Sequence, residues 1–450
     1  MKTVYTCNKC DHQTPKWVGK CPECDNWNTM VEEVAAPTPK KGSRAAWLPP
    51  SKSKAALIND VTEISEDRTP CGLREFDRVL GGGIVPGSLI LIGGEPGAGK
   101  STLLLQTVAH LSQTEKVLYI TGEESAHQIK MRAKRLKVKA KSLYLLAENS
   151  LEVILQRVSE VQPKFLVIDS IQTIYTGNLE SAPGSVSQVK ECATRLMYLA
   201  KQEDISTFLI GHVTKEGGIA GPRTVEHQID VLLLIEGDPG HNFRILRSVK
   251  NRFGSTNEIG VFEMRGDGLA EVPNPSEVFL AERPLGEAGS VVVPSIEGTR
   301  PILVEVQALV SSSNLGTPRR TTLGFDSNRT SLLCAVLEKK VGMSLAGLDV
   351  YLNVAGGIKL IEPAVDLAVL AALASSHLNR PVPEKTILFG EVGLAGEVRA
   401  VPHAETRVKE AARLGFEKII MPHGNVKNLK RPKGIEIFGV KSAAEALELL

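Results

Sequence analysis

The stretch Gly93-Gly94-Glu95-Pro96-Gly97-Ala98-Gly99-Lys100-Ser101-Thr102 decides how this chain reads. From Gly94 onward it fits G-x-x-x-x-G-K-[ST], with Gly99, Lys100 and Ser101 at the fixed places. Residues 88–92 (SLILI) before it predict a buried strand, and residues 101–111 (STLLLQTVAHL) after it predict a helix. Strand, loop and helix in that order are the setting in which this pattern cradles phosphate. Gly94, Gly97 and Gly99 let the backbone curl until successive N–H groups converge on an anion. The following helix adds the partial positive charge of its first turn. Lys100 is expected to reach the β- and γ-phosphates of ATP, and Ser101 to ligate Mg²⁺. The nucleotide-binding set is therefore Gly94, Glu95, Pro96, Gly97, Ala98, Gly99, Lys100, Ser101 and Thr102.

Outward from that loop, apolar runs rich in β-branched residues recur at 117–120 (VLYI), 165–168 (FLVI), 207–210 (TFLI) and 231–235 (VLLLI). Longer helical segments separate the first three. Near-continuous apolar strands with helical crossovers predict an α/β fold with a parallel sheet covered on both faces. Ligands of such sheets sit at the carboxyl ends of the strands. Two carboxylates fall there. Asp169 directly follows FLVI and suits a Mg²⁺-holding role through water. Glu123, in the TGEES stretch after VLYI, suits the group that orients and deprotonates an attacking water, with Glu124 as the alternative.

Size and composition bound the rest. At 450 residues the chain suits two or three domains. Hydrophobic content of 42% and charged content of 23% are ordinary for a globular protein, and a net charge of +2 requires any basic surface to be local. No apolar run approaches the ~20 residues of a membrane helix, and MKTVYTCNKC lacks the apolar core of a signal peptide. These features predict a soluble, cytoplasmic protein without a membrane partner.

Four of the seven cysteines lie in the first 24 residues, as Cys7-x₂-Cys10 and Cys21-x₂-Cys24. Two such knuckles offer four thiolates to one tetrahedral Zn²⁺. About 30 residues bury too little apolar surface to fold alone, so the metal would supply folding energy. Trp17 and Trp27 are expected to cover the site, and His12 to be surplus to it. Cys71, Cys192 and Cys334 read as small buried residues. Residues 31–56 are rich in Pro, Lys, Ser and Ala and predict a linker, which Trp47 could anchor. The expected division is a zinc knuckle at 1–30, a linker at 31–56, an ATPase domain at 57–275 and a further α+β domain at 276–450.

The run from residue 69 (TPCGLREFDRVLGGGIVPGSLILIGGEPGAGKST) resembles RecA-family ATPases of the RadA/Sms and KaiC-like kind. With the Cys₄ knuckle and the KNRFG run Lys250-Asn251-Arg252-Phe253-Gly254, the resemblance narrows to the bacterial RadA/Sms family and covers essentially the whole chain. It implies a DNA-dependent ATPase of repair and homologous recombination. Such an ATPase forms a homo-oligomeric ring, a hexamer, on single-stranded DNA and drives branch migration of branched intermediates, with recombinase RecA as partner. It implies that Lys250 and Arg252 enter the neighbouring subunit's ATP site as a finger. It also implies that the Gly-rich segment 212–223, with Lys215 and Arg223, faces single-stranded DNA. Segment 176–186 is a second candidate loop, and the basic run 130–141 reads first as a solvated helix face on which Met131, Leu136 and Val138 pack.

After about residue 275 the texture changes, with helices expected at 330–338, 364–376 and 404–414. The stretch from Ile361 (IEPAVDLAVLAALASSHLNRPVPEKTILFGEVGLAGEVRAVPHAETRVKEA) resembles the Lon protease catalytic region. The positions of its serine and lysine hold Ala364 and Glu405, so the resemblance implies a domain without peptidase chemistry. Arg319, Arg320, Arg329, Lys339 and Lys340 are its candidate DNA contacts. Three rival readings follow: an ATP-dependent protease, an ATP-switched recombinase-loading scaffold, and a KaiC-like autokinase.

Overall fold

The computed structural model describes residues 3–7, 13–14, 17–20, 22, 27, 30–34, 67–212, 225–237, 242–313, 318–427 and 429–450. The chain divides into two compact units, Met1–Ser65 and Glu66–Leu450.

In the first unit, β1 (Thr3–Cys7) pairs antiparallel with β2 (Gln13–Thr14) and with β3 (Met30–Val34). Cys7 lies opposite Met30 and Thr3 opposite Val34. The expected linker therefore starts later than residue 31, because ladder hydrogen bonds to β1 hold 31–34 as strand. Trp17 and Trp27 are 59% and 70% exposed, with both rings beside Gly19, so neither is a buried lid. Cys10, Cys21, Cys24, His12 and Trp47 lie outside the described residues.

The second unit opens with helix α1 (Arg74–Leu80) and a nine-stranded sheet. Its strands are β4 (Leu89–Gly94), β5 (Val117–Thr121), β6 (Leu143–Ala147), β7 (Phe165–Asp169), β8 (Ser206–His212), β9 (Val231–Glu236), β10 (Phe243–Asn251), β11 (Ile259–Arg265) and β12 (Gly268–Glu271). The order is β12-β11-β10-β9-β4-β8-β7-β5-β6. From β9 to β6 every pair is parallel, as expected. The sheet continues in the antiparallel extension β10–β12, which the search for apolar runs does not reach because these strands carry a polar residue at every second or third place. The crossovers are α2 (Lys100–Leu111), α3 (Ala126–Arg135), α4 (Leu151–Val161) and α5 (Val186–Glu203).

The period of two along β4 explains the burial of both its faces. Ile90 and Ile92 pack with Phe76, Leu104 and Phe208 on one side. Leu89 and Leu91 pack with Ile154 and Leu196 on the other. All four are within 1% of full burial, and each contributes about 1.5–3 kcal/mol by leaving water.

A second, seven-stranded sheet forms the C-terminal part, in the order β15-β16-β14-β13-β17-β20-β21. Its strands are β13 (Ser290–Glu297), β14 (Arg300–Ser312), β15 (Arg320–Leu323), β16 (Leu348–Val354), β17 (Thr386–Leu388), β20 (Lys418–Pro422) and β21 (Glu436–Val440), while β18 (Glu391–Val392) and β19 (Val398–Arg399) make a separate ribbon. Helix Pro275–Leu280 packs on β14. The three expected helices are present as Ser327–Val336, Asp366–Leu378 and Ala404–Arg413. The first starts earlier than expected because the Asp326 carboxylate caps it at Arg329 N. Among the described residues no helix is long and apolar enough to cross a membrane.

Candidate ATPase site

The loop from Gly94 to Thr102 joins β4 to α2 at the carboxyl end of the parallel strands. Gly97 has φ +80° and Gly99, which caps α2, has φ +107°. A Cβ at Gly99 would stand 2.8 Å from Met264 Cε, while one at Gly97 would meet nothing within 4 Å. Gly99 is therefore needed for its left-handed conformation, since the Met264 methyl can swing aside, and Gly97 for conformation on an open lip. Glu95, Pro96 and Gly97 are exposed, whereas Lys100 is only 5% exposed.

Lys100 Nζ donates to Gly94 O at 2.7 Å and to Glu95 O at 2.9 Å. An ammonium has three N–H donors, which leaves one for a phosphate oxygen. Burial pulls its pKa below the ordinary lysine value, against the pull of Asp169 and Glu123. Asp169 ends β7, is 8% exposed, and accepts from Tyr119 Oη at 2.6 Å. Burial pushes its carboxyl up, while bonds from Tyr119 and from Ser101 oppose the shift. Ser101 and Asp169 thus meet as two hard oxygen donors beside a phosphate-binding loop, a donor set that Mg²⁺ could use.

The adjacent glutamates face different partners. Glu123 Oε1 accepts from Ser170 Oγ at 2.5 Å and lies 3.2 Å from His212 Nε2. Burial acts to raise its pKa, but Ser170, His212 and Lys100 together bring it below the ordinary glutamate value. An ionised carboxylate only accepts, so His212 Nε2 carries the proton in this pair. Glu124 instead forms an ion pair with Arg132 of α3. The split is set by local chemistry. Thr121 and Glu124 exchange two hydrogen bonds, and Ser125 and Gln128 close a capping box at the start of α3. The S-x-x-Q spacing in SAHQ was the legible signal for that box. The sequence places His212 only at the head of the DNA-facing segment 212–223, because a histidine at a strand end carries no signature for a contact with Glu123.

In KNRFG, the loop after β10 is tied down at several points. Asn251 Nδ2 donates to Leu80 O at 3.2 Å, and Arg68 Nη2 to Phe253 O at 2.5 Å. Lys250 Nζ donates to Glu226 O. Arg252 Nη1 faces Asp230 Oδ1, and its Nη2 donates to His227 O at 3.2 Å. This loop and Lys100 lie at opposite ends of the sheet. Asn251 is level with Val231, which is level with Ile90, whereas Gly94 is level with Ile235. Four residues of strand separate the two levels, about 13 Å at ~3.3 Å per residue.

The other expected sites are placed unevenly. Lys215 and Arg223 lie outside the described residues. Segment 176–186 is pinned by Gln188, whose side chain bonds Thr176, Leu179 and Ser181. In the basic run Leu136 is buried, but Met131 is 61% exposed, because α3 turns Ile129 rather than Met131 to the core. Ala364 is buried at the foot of helix Asp366–Leu378, and Glu405 is paired with Lys409 at 2.8 Å. Ser375 Oγ and Ser376 Oγ accept from Gly289 N and Val310 N, each at 2.9 Å, and hold strands to that helix. Arg329 is bound to the buried Asp366 and is an internal partner rather than a free DNA contact. Cys71, Cys192 and Cys334 are free and buried; burial pushes the Cys192 thiol up to about 12.

A DNA repair protein RadA from Bacillus subtilis is 54% identical to this chain over 449 residues, 99% of this chain and 98% of that protein. One from Listeria monocytogenes is 53% identical, over 99% of this chain and 97% of that protein. This chain belongs to the RadA family. In this RadA-family chain an AAA domain profile matches residues 59–218, which hold the P-loop, Glu123 and Asp169. A rubredoxin metal binding domain profile matches 5–32, which hold the four N-terminal cysteines. The stretch read above as Lon-like matches the profile of subunit ChlI of Mg-chelatase over 334–425. A solved KaiC-like protein from Pyrococcus horikoshii aligns with 46% of the chain at 21% identity and a TM-score of 0.39.

Proposed function

We propose that this chain is a Mg-ATP-hydrolysing motor of DNA repair and recombination that completes each ATP site between two copies of itself. The AAA profile and the relatives make the chain an ATPase of the RadA family. Sharing of the site between copies is supported by the separation of Lys100 from Lys250 and Arg252 along the strands. A chain cannot bring its own finger to its own P-loop over that span, whereas a neighbour can.

At such a site the P-loop amides and Lys100 hold the phosphates, and Ser101 and Asp169 hold Mg²⁺, which offsets phosphate charge when bound. Glu123, ionised and fixed at Oε1 by Ser170 and His212, takes the proton of the attacking water at Oε2. Arg252 of the adjoining copy meets the charge that develops in the transition state. Cys7, Cys10, Cys21 and Cys24 would bind one structural Zn²⁺, in keeping with the metal-binding profile. His212 leads directly into the segment carrying Lys215 and Arg223, so single-stranded DNA held there would act beside Glu123. Assembly as a hexameric ring, branch migration of branched DNA and partnership with recombinase RecA complete the reading on family grounds.

The test is complementation. Lys100→Ala and Arg252→Ala proteins, each inactive, are mixed under conditions where subunit exchange is verified. Recovery of ATP turnover, stimulated by single-stranded DNA, is expected; a mixture that stays inactive sinks the shared-site reading.

A further inference from the structure

The tip of the β13–β14 hairpin is spent on the ATPase part of the chain. Glu297 pairs with Arg300 across a two-residue turn, Gly298-Thr299. Hairpin tips ordinarily face water. Here four consecutive residues bind across the boundary. Glu297 Oε2 accepts from Arg247 Nη2 of β10 at 2.6 Å. Gly298, at φ +70°, lies so close to Asn257 that an added Cβ would stand 1.5 Å from its carbonyl oxygen. Thr299 Oγ1 donates to Glu258 Oε1 at 2.6 Å. Arg300 Nη1 donates to Glu75 Oε2 at 2.8 Å, and its Nη2 to Pro273 O.

Several of these partners flank the segment that carries KNRFG. Asn257 and Glu258 close the segment that begins at Lys250, just ahead of β11. Glu75 lies on α1, whose last carbonyl, Leu80 O, accepts from Asn251. Glu75 also accepts from Val261 N at 3.0 Å, which fixes α1 to β11. The segment from Lys250 to Glu258 is thus held by α1 at Asn251 and by the hairpin tip at Asn257 and Glu258, with Arg300 joined to α1.

We propose that the Glu297–Arg300 turn is a positioning device for the KNRFG loop, through which the C-terminal domain sets ATP turnover in the adjoining subunit. Thr299 and Arg300 are positioning residues: they touch neither nucleotide nor water, and act by fixing where Arg252 stands. This rests on the shared-site reading above.

The test uses full-length Arg300→Gln, with Arg300→Lys as the conservative variant and Thr299→Val where Arg300→Gln does not fold. Arg300→Gln is expected to lose about tenfold in kcat, with KM for ATP changed less than about twofold, and Arg300→Lys to restore most of it. Mixing then separates positioning from general weakening. With Lys100→Ala, whose subunits bring an intact turn and finger, turnover should recover; with Arg252→Ala it should not. The reverse pattern, or full turnover in Arg300→Gln and Thr299→Val alone, overturns the proposal. The Lys100→Ala and Arg252→Ala mixture is the separate control: its failure removes the shared-site reading itself, whereas its success beside a failed Arg300 pattern removes only the role of the turn.

Discussion

Arg252 Nη1 stands 3.4 Å from Asp230 Oδ1, a carboxylate only 2% exposed. Asp230 Oδ2 also accepts from Lys201 Nζ at 2.6 Å and from Leu89 N at 3.0 Å. Under the proposed shared site, Arg252 is here parked on its own subunit, at the root of the P-loop strand. Arg252→Ala should leave ATP binding within about threefold of the parent and lower kcat by about 10³-fold, since the lost charge matters most in the transition state. Arg252→Lys should recover only a small part, because an ammonium lacks the planar fork. Nucleotide binding by equilibrium titration beside steady-state turnover decides it.

The two glutamates after β5 should differ sharply. Glu123→Gln should reduce turnover by about 10²-fold or more while nucleotide still binds. Glu124→Gln removes a partner of Arg132 and should act mainly on stability. Because Glu123 ionises below the ordinary glutamate range, turnover should hold as pH falls toward that range and drop only beneath it. A strong loss between pH 6 and pH 7, traced to this residue by the Gln variant, would contradict the assignment.

Metal analysis of the purified protein should find one zinc per chain, released by Cys24→Ala. The unit Glu66–Leu450 is compact by itself, so the thermal transition of the ATPase core should persist in that variant. Wild-type protein without zinc would end this reading.

Asp366 is fully buried and depends on Arg329 and Val392 N for its hydrogen bonds. Arg329→Ala leaves a buried carboxylate without its cation and should cost about 3–5 kcal/mol. Burial raises the Asp366 pKa against Arg329, so folding favours the protonated form. Stability from this group is present below the ordinary aspartate pKa and is lost as pH rises through the raised value. The variant raises that value further. Its deficit in Tm should therefore be larger at pH 8 than at pH 5, and a deficit independent of pH would argue against this account.

No peptidase activity is expected from the C-terminal domain. Ala364 has no hydroxyl, Glu405 pairs with Lys409, and both serines of the following helix bond to backbone. Casein hydrolysis that survives purification and vanishes on mutating this domain would refute the expectation. Ser375→Ala should instead cost about 1–3 kcal/mol by orphaning Gly289 N.

The parallel sheet was legible because its strands are buried on both faces and read as unbroken apolar runs, as in 165–168 and 231–235. The strands β10–β12 were not, since half of each faces water or another element, as with Arg247 and Glu263. The P-loop could be read residue by residue, its chemistry being that of contiguous backbone. Glu123 could be placed but not separated from Glu124, because the choice depends on Arg132 and Ser170, which lie eight or more residues away in sequence. The Arg329–Asp366 pair is illegible for a related reason: a cation on a polar helix turn looks solvated until its partner 37 residues on is known.

The placement of Lys100 and Arg252 at opposite ends of one sheet has an arithmetic of its own. Under the proposed shared site, copies joined head to tail in an open row leave one P-loop without a finger and one finger without a P-loop, so n copies hold n − 1 working sites. Closing the row supplies the last. Turnover per chain should therefore climb with protein concentration and level off once the assembly closes, so that the enzyme's activity doubles as a measure of its own assembly.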